Sequence, residues 1–132
     1  MTIKVIRDQS LPMRHIAHVR NHLISVDGTV VEGGNDAGPA PHDLYDAAIS
    51  ACKALTVVWY ANRKGIPVED VQVSTERDDS EERKGVYRLA TTLHLTGDLT
   101  EAQREELLSV AQKCPVHKLM TSVTTEVSTV LG

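Results

Sequence analysis

Polar and apolar residues alternate through the first third of the chain: Met13, His15, Ala17 and Val19, then His22, Ile24 and Val26 beyond Arg20-Asn21. A period of two sends successive side chains to opposite faces of a strand, and Arg20-Asn21 reads as a turn, so the segment is predicted to form an antiparallel meander. From Glu32 to Pro41 the pattern breaks. Gly33, Gly34, Asn35, Gly38 and Pro39 mark an ordered loop there, not a flexible linker, and no domain boundary is needed.

The longest helical pattern follows. Pro41 suits a first helical position, where its missing N–H is no loss, and Asp43 places a negative charge in the first turn. Leu44, Ala47, Ala48, Ala51, Cys52, Leu55, Val58 and Trp59 recur at spacings of three and four, a stripe expected to face a core. Gly65 offers a left-handed stop and Pro67 forbids continuation.

Val71, Val73 and Thr75, then Tyr87, Leu89, Thr91, Leu93 and Leu95, alternate on either side of a charged tip and predict a hairpin. Thr100-Glu101-Ala102-Gln103 has the form of a capping box, and Leu107, Ala111 and Cys114 continue one face of the helix it opens. Pro115 disfavours helical geometry at Cys114, so this cysteine is placed at a helix end. After a short turn through Met120, Val123, Thr125, Val127 and Thr129 predict a final strand. Strands and helices in this order give an α+β chain, and residues 1–132 are expected to form a single domain.

Composition narrows the reading. With no Phe, one Trp and three Tyr, the core must be built from Leu, Val, Ile and Ala. Fourteen basic against eighteen acidic residues leave a net charge of −4, which argues against nucleic acid and anionic membranes as partners. The alternating segment from Met1 to Ser10 lacks the continuous apolar run of a secretory signal, and no stretch approaches a membrane span. Two cysteines are too few for a disulfide scaffold, and a cytoplasmic setting would keep them reduced.

Those cysteines are the candidate chemistry. A cysteine reacts as its thiolate, and Cys52, far from either end of its helix, needs a cation to hold that charge. Lys53 projects about 100° away around the helix, which leaves Arg20 or Arg14 of the meander as candidates. A cysteine on an apolar helical face equally serves as a small hydrophobe. Just before Pro115, Cys114 is expected to cap the following turn and face its free N–H groups, a setting that favours a thiolate. Cys114-Pro115-Val116-His117 could form half of a metal site, but no second close His/Cys pair completes it, and no cofactor or metal is expected. The remaining histidines are scattered, and nucleotide-binding and serine-hydrolase motifs are absent.

Several segments together resemble the osmotically induced protein C and organic hydroperoxide resistance (OsmC/Ohr) family, in its OsmC-like branch. They run from Gly33 through Gly38-Pro39-Ala40-Pro41-His42-Asp43-Leu44, then Ala47-Ala48-Ile49-Ser50-Ala51-Cys52, Tyr60-Ala61-Asn62-Arg63-Lys64-Gly65 and Lys113-Cys114-Pro115-Val116-His117. Their order and spacing cover nearly the whole chain.

The resemblance implies an intertwined homodimer in which curved antiparallel sheets wrap long central helices, with active sites at the subunit interface. It implies a peroxidase in which Cys52 attacks the distal oxygen of an organic hydroperoxide and the sulfenic acid condenses with Cys114. An external dithiol then reduces the disulfide, in keeping with the general oxidation chemistry of thiols. Peroxidase members hold the thiolate with an arginine, for which Arg20 is preferred over Arg14, and orient that arginine with a glutamate. Here His42 stands where that glutamate is expected, and the acid is Asp43. Helical geometry puts Asp43 about 13 Å from Cys52 along the axis and on the opposite face, so it would act across a dimer interface or simply as a helix-start charge. The alternatives are a non-catalytic OsmC-like dimer binding a hydrophobic ligand or redox partner at its interface, and a plain structural domain.

Overall fold

The computed structural model describes residues 1–132, which form two compact units, Met1–Tyr45 and Asp46–Gly132. In the first unit, β1 (Ile3–Arg7), β2 (His15–Val19) and β3 (His22–Val26) make an antiparallel sheet in that order. The meander is as expected, with Ala17 opposite both Val5 and Ile24. The sheet gains β1 from a segment whose alternation had served only to argue against a signal. Arg20 takes the positive φ of 54° that lets the chain reverse between β2 and β3.

The glycine-rich loop is ordered around one side chain. Asp27 is 3% exposed, and its carboxylate accepts the backbone N–H groups of Gly28 (2.8 Å), Asn35 (3.1 Å) and Ala37 (3.0 Å). These bonds hold the carboxyl below the usual carboxylate range, the Ala37 N–H foremost, against the opposing effect of burial. The loop closes so tightly that a Cβ at Gly34 would lie 2.1 Å from the Gly28 carbonyl oxygen, which only glycine tolerates.

Helix α1 (Pro41–Lys64) begins and ends where Pro41 and Gly65 predicted, Gly65 having a φ of 68°. In the second unit it is followed by β4 (Val68–Asp78) and β5 (Arg88–Gly97), an antiparallel hairpin with a 3-10 turn, Glu82–Lys84, at its tip. Then come α2 (Glu101–Gln112) and α3 (Pro115–Thr121). The Thr100 capping box is complete, with Thr100 and Gln103 each satisfying the other's backbone N–H. Val57 and Ala61 of α1 pack on Leu107 and Ala111 of α2 to form the buried core, and Val71, Leu93 and Leu95 of the hairpin close over it. Polar ties brace α1 against the hairpin: Asp46 accepts from Arg77 and Tyr87, each at 2.6 Å, and Ser50 meets Thr75 at 2.6 Å.

Two expectations are corrected. The apolar stripe on α1 does not face the core of the chain. Leu55 is 70% exposed and Trp59 59%, Val58 and Ala51 are exposed as well, and the buried row is Ile49, Lys53, Val57 and Ala61. Hydropathy identified the more apolar face, but the face used within the chain is the one that complements α2 and the hairpin. The predicted strand through Val123, Thr125, Val127 and Thr129 does not form: the chain from 124 onward has no regular structure and its side chains are exposed. Alternation specifies an extended amphipathic segment, yet a strand also needs a backbone partner, and none in this chain pairs with it. No helix is long and apolar enough to cross a membrane.

Candidate active site

The second unit brings the two cysteines together. Cys52 lies midway along α1 and is partly exposed, whereas Cys114 is fully buried, and both are free thiols. Pro115 occupies the first position of α3, which makes Cys114 the N-cap residue, with extended backbone angles (φ −61°, ψ 148°). The turn between α2 and α3 carries the start of α3 against α1, where the Val116 N–H donates to the Cys52 sulfur at 3.5 Å. Cys52 also lies 3.9 Å from the Thr56 hydroxyl one turn along its own helix. A mid-helix cysteine thereby gains a backbone donor that its own helix does not supply.

Cys114 behaves differently from the sequence-based expectation. Burial pushes its thiol up, opposed by the backbone N–H of His117, and the hydrogen-bonded Cys52 thiol pushes it further up while the charge of Lys53 pulls it down. Its helix-capping position is as expected, but desolvation outweighs the N–H groups. Neutral Cys114 is therefore the favoured form when nothing else changes.

Lys53, set aside in the sequence because it projects about 100° from Cys52 around the helix, lies beside the thiols in the fold. It is 6% exposed, and its ammonium donates to the Ala111 carbonyl at 2.9 Å and meets His117 Nδ1 at 3.0 Å. An ammonium only donates, so Nδ1 of His117 is the acceptor and the ring carries its proton on Nε2. That engagement also takes Nδ1 out of the half-site suggested by Cys114 and His117. Beyond Lys53 lies a cavity of ≈ 90 Å³ walled by Val73, Thr91, Leu93, Leu108 and Ala111. The signal was present in the sequence: Ile49, Lys53, Val57 and Ala61 are spaced by four, an apolar row interrupted by one lysine.

The remaining predicted residues lie in the first unit. Arg20 is an exposed turn residue. Arg14 donates to Ser25 Oγ at 2.8 Å and pairs with Asp8 at 2.6 Å. Asp43 accepts the Ala40 N–H at 2.9 Å, closing the start of α1 as an acidic residue in a first turn does.

A family model described as OsmC-like protein matches residues 33–128. Among solved structures, the chain is similar to an OsmC-like protein from Mycoplasma pneumoniae, at 16% identity and a TM-score of 0.73, covering 92% of this chain and 87% of that one. It is similar to an OsmC-like protein of unknown function from Vibrio cholerae, at 19% identity and a TM-score of 0.69, with 96% of each chain covered. A third, an organic hydroperoxide resistance protein from Legionella pneumophila, is 20% identical with a TM-score of 0.65, covering 92% of this chain and 90% of that one. A comparison with curated proteins found no match.

Proposed function

Because this chain belongs to the OsmC-like family, we propose that it is a thiol-dependent peroxidase that reduces organic hydroperoxides, or hydrogen peroxide, in oxidative-stress defence. The observation that carries this reading is the meeting of Cys52 and Cys114 from two helices, one thiol reachable from solvent and the other buried behind it. Such an order suits a peroxidatic cysteine in front and a resolving cysteine behind. Cys52 attacks the distal peroxide oxygen, the alcohol leaves, and the Cys52 sulfenic acid condenses with Cys114 to a disulfide and water. An external dithiol restores both thiols by exchange.

Arg20 is assigned to the Cys52 thiolate and Asp43 to orienting it, Asp43 acting across a dimer interface because helical geometry keeps it from the Cys52 of its own chain. The exposed apolar face of α1, with Leu55, Val58 and Trp59, is assigned to a second copy of the chain, which gives a homodimer. A reducing compartment such as the cytoplasm suits a disulfide that must be reopened in every cycle.

The test is anaerobic counting of free thiols on reduced protein, before and after one equivalent of cumene hydroperoxide. Two thiols should disappear per chain, and Cys52→Ser should abolish the reaction. Persistence of both thiols in the wild type would remove the peroxidase reading and leave a ligand-binding OsmC-like dimer in its place.

A further inference from the structure

Lysine side chains usually reach outward, burying their stems and keeping the ammonium in water. Lys53 does the reverse, and its charge is turned into a core otherwise made of Val57, Ala61, Leu107 and Ala111. No carboxylate accompanies it. Its hydrogen-bond partners are a carbonyl oxygen and a neutral imidazole nitrogen, neither of which cancels the charge. A buried cation without an anion is costly, and an anion formed beside it during the protein's work would offset that cost.

We propose that Lys53 is a positioning residue for the resolving step, its ammonium fixed by the Ala111 carbonyl and His117 Nδ1 as the counter-charge for a Cys114 thiolate. The inference rests on the peroxidase reading and deepens it. In the step concerned, Cys114 gives up its proton and its sulfur attacks the sulfur of the Cys52 sulfenic acid. The S–S bond forms, the S–O bond breaks, and the leaving hydroxide takes up a proton to become water. Cys114 sulfur is oxidised and Cys52 sulfur reduced, with no further reactant.

The surroundings of Cys114 make such a counter-charge necessary. The Ala111 carbonyl that accepts from Lys53 at 2.9 Å also accepts the Cys114 N–H at 3.4 Å, which ties the ammonium to the cysteine's own turn, and there desolvation disfavours the thiolate while Lys53 supplies the positive charge. The titratable groups facing it are Cys52 and Lys53 from α1 and His117 from its own helix. α2 presents the Ala111 carbonyl, and the hairpin lines the far side of Lys53 with Val73, Thr91 and Leu93. His117 acts through Lys53, since loss of its Nδ1 acceptor frees the ammonium to move.

Two measurements test this, one of which needs no peroxide. In a Cys52→Ser background Cys114 is the only thiol, so an ultraviolet pH titration read as the difference from Cys52→Ser/Cys114→Ser, which cancels the three tyrosines, reports its ionisation alone. Lys53→Met should raise the midpoint by about one pH unit, the lower end of the shift expected of a nearby opposite charge. His117→Ala, which keeps the lysine, should raise it by less, and it is the fallback should Lys53→Met not fold. Midpoints unchanged in both variants would overturn the proposal. In the otherwise wild-type chain, Lys53→Met should prolong the Cys52 sulfenic acid, trapped by a dimedone reagent, by about tenfold or more near neutral pH, with recovery at alkaline pH. Equal lifetimes at every pH would also overturn it. If wild-type protein forms no sulfenic acid at all, the peroxidase reading fails, and the titration alone still decides whether Lys53 governs Cys114.

Discussion

Each of the two units buries one charge, and the two are of opposite sign: Asp27 in Met1–Tyr45 and Lys53 in Asp46–Gly132. Asp27 spends its charge on backbone. Its carboxylate gathers three N–H groups from its own loop, all within ten residues of sequence, and the result is a fixed loop and nothing more. Lys53 is held by a carbonyl and a ring nitrogen far along the chain, next to two thiols, and its charge is left over. The difference teaches how to separate a structural buried charge from one with a chemical role. The first is matched by the groups it organises, and the second has an unmatched remainder directed at a reactive atom.

The comparison can be broken most directly in the second unit. If Lys53 serves the thiols and apolar packing holds the unit together, Leu107→Ala should lose about 3 kcal/mol of stability in urea unfolding. Lys53→Met should change stability by no more than about 1 kcal/mol, because removing the buried charge offsets the carbonyl and imidazole left unpaired. The reverse order would make Lys53 a structural residue like Asp27. In the first unit, Asp27→Ala leaves three N–H groups without their acceptor, and amide exchange at Asn35 and Ala37 should quicken by about tenfold or more while global unfolding changes little. Unaltered exchange would show that the glycine-rich loop holds itself.

The smallest effect is a pH dependence. Asp27 has its carboxyl pKa lowered in the folded chain, so its contribution is fully present above the ordinary aspartate value of about 4 and is lost as pH falls through the lower folded value. Protection of Asn35 and Ala37 should be flat above that point and decline below it, whereas Asp27→Asn should remove the pH dependence. A decline that starts near neutral pH would point to a different group.

Much of the fold was legible because it is written in local chemistry. Pro41 and Gly65 bound α1, Thr100 and Gln103 open α2, and Pro115 makes Cys114 a cap, each through backbone constraints that act within a few residues. The choice of which face of α1 turns inward was not legible. A stripe that is buried against another surface and a stripe buried inside the chain have the same spacing, and Leu55, Val58 and Trp59 outweigh Ile49, Lys53, Val57 and Ala61 in hydropathy. The same limit hid Lys53, whose significance depends on a carbonyl and a histidine brought close by the turn between α2 and α3. Sequence singled out Cys52 and Cys114. It gave no sign that the N–H aimed at Cys52 comes from Val116, or that burial dominates at Cys114.

The outward apolar face of α1 has a consequence for every stability measurement. Leu55 and Trp59 stand 70% and 59% exposed, with Arg63 stacked 5.1 Å over the Trp59 ring. If that surface closes against a second copy, part of the folding free energy belongs to association, and mass action makes the melting temperature climb with protein concentration. A thermal midpoint for this chain is then a statement about a solution, complete only when the dilution is given. Leu55→Glu should flatten that dependence.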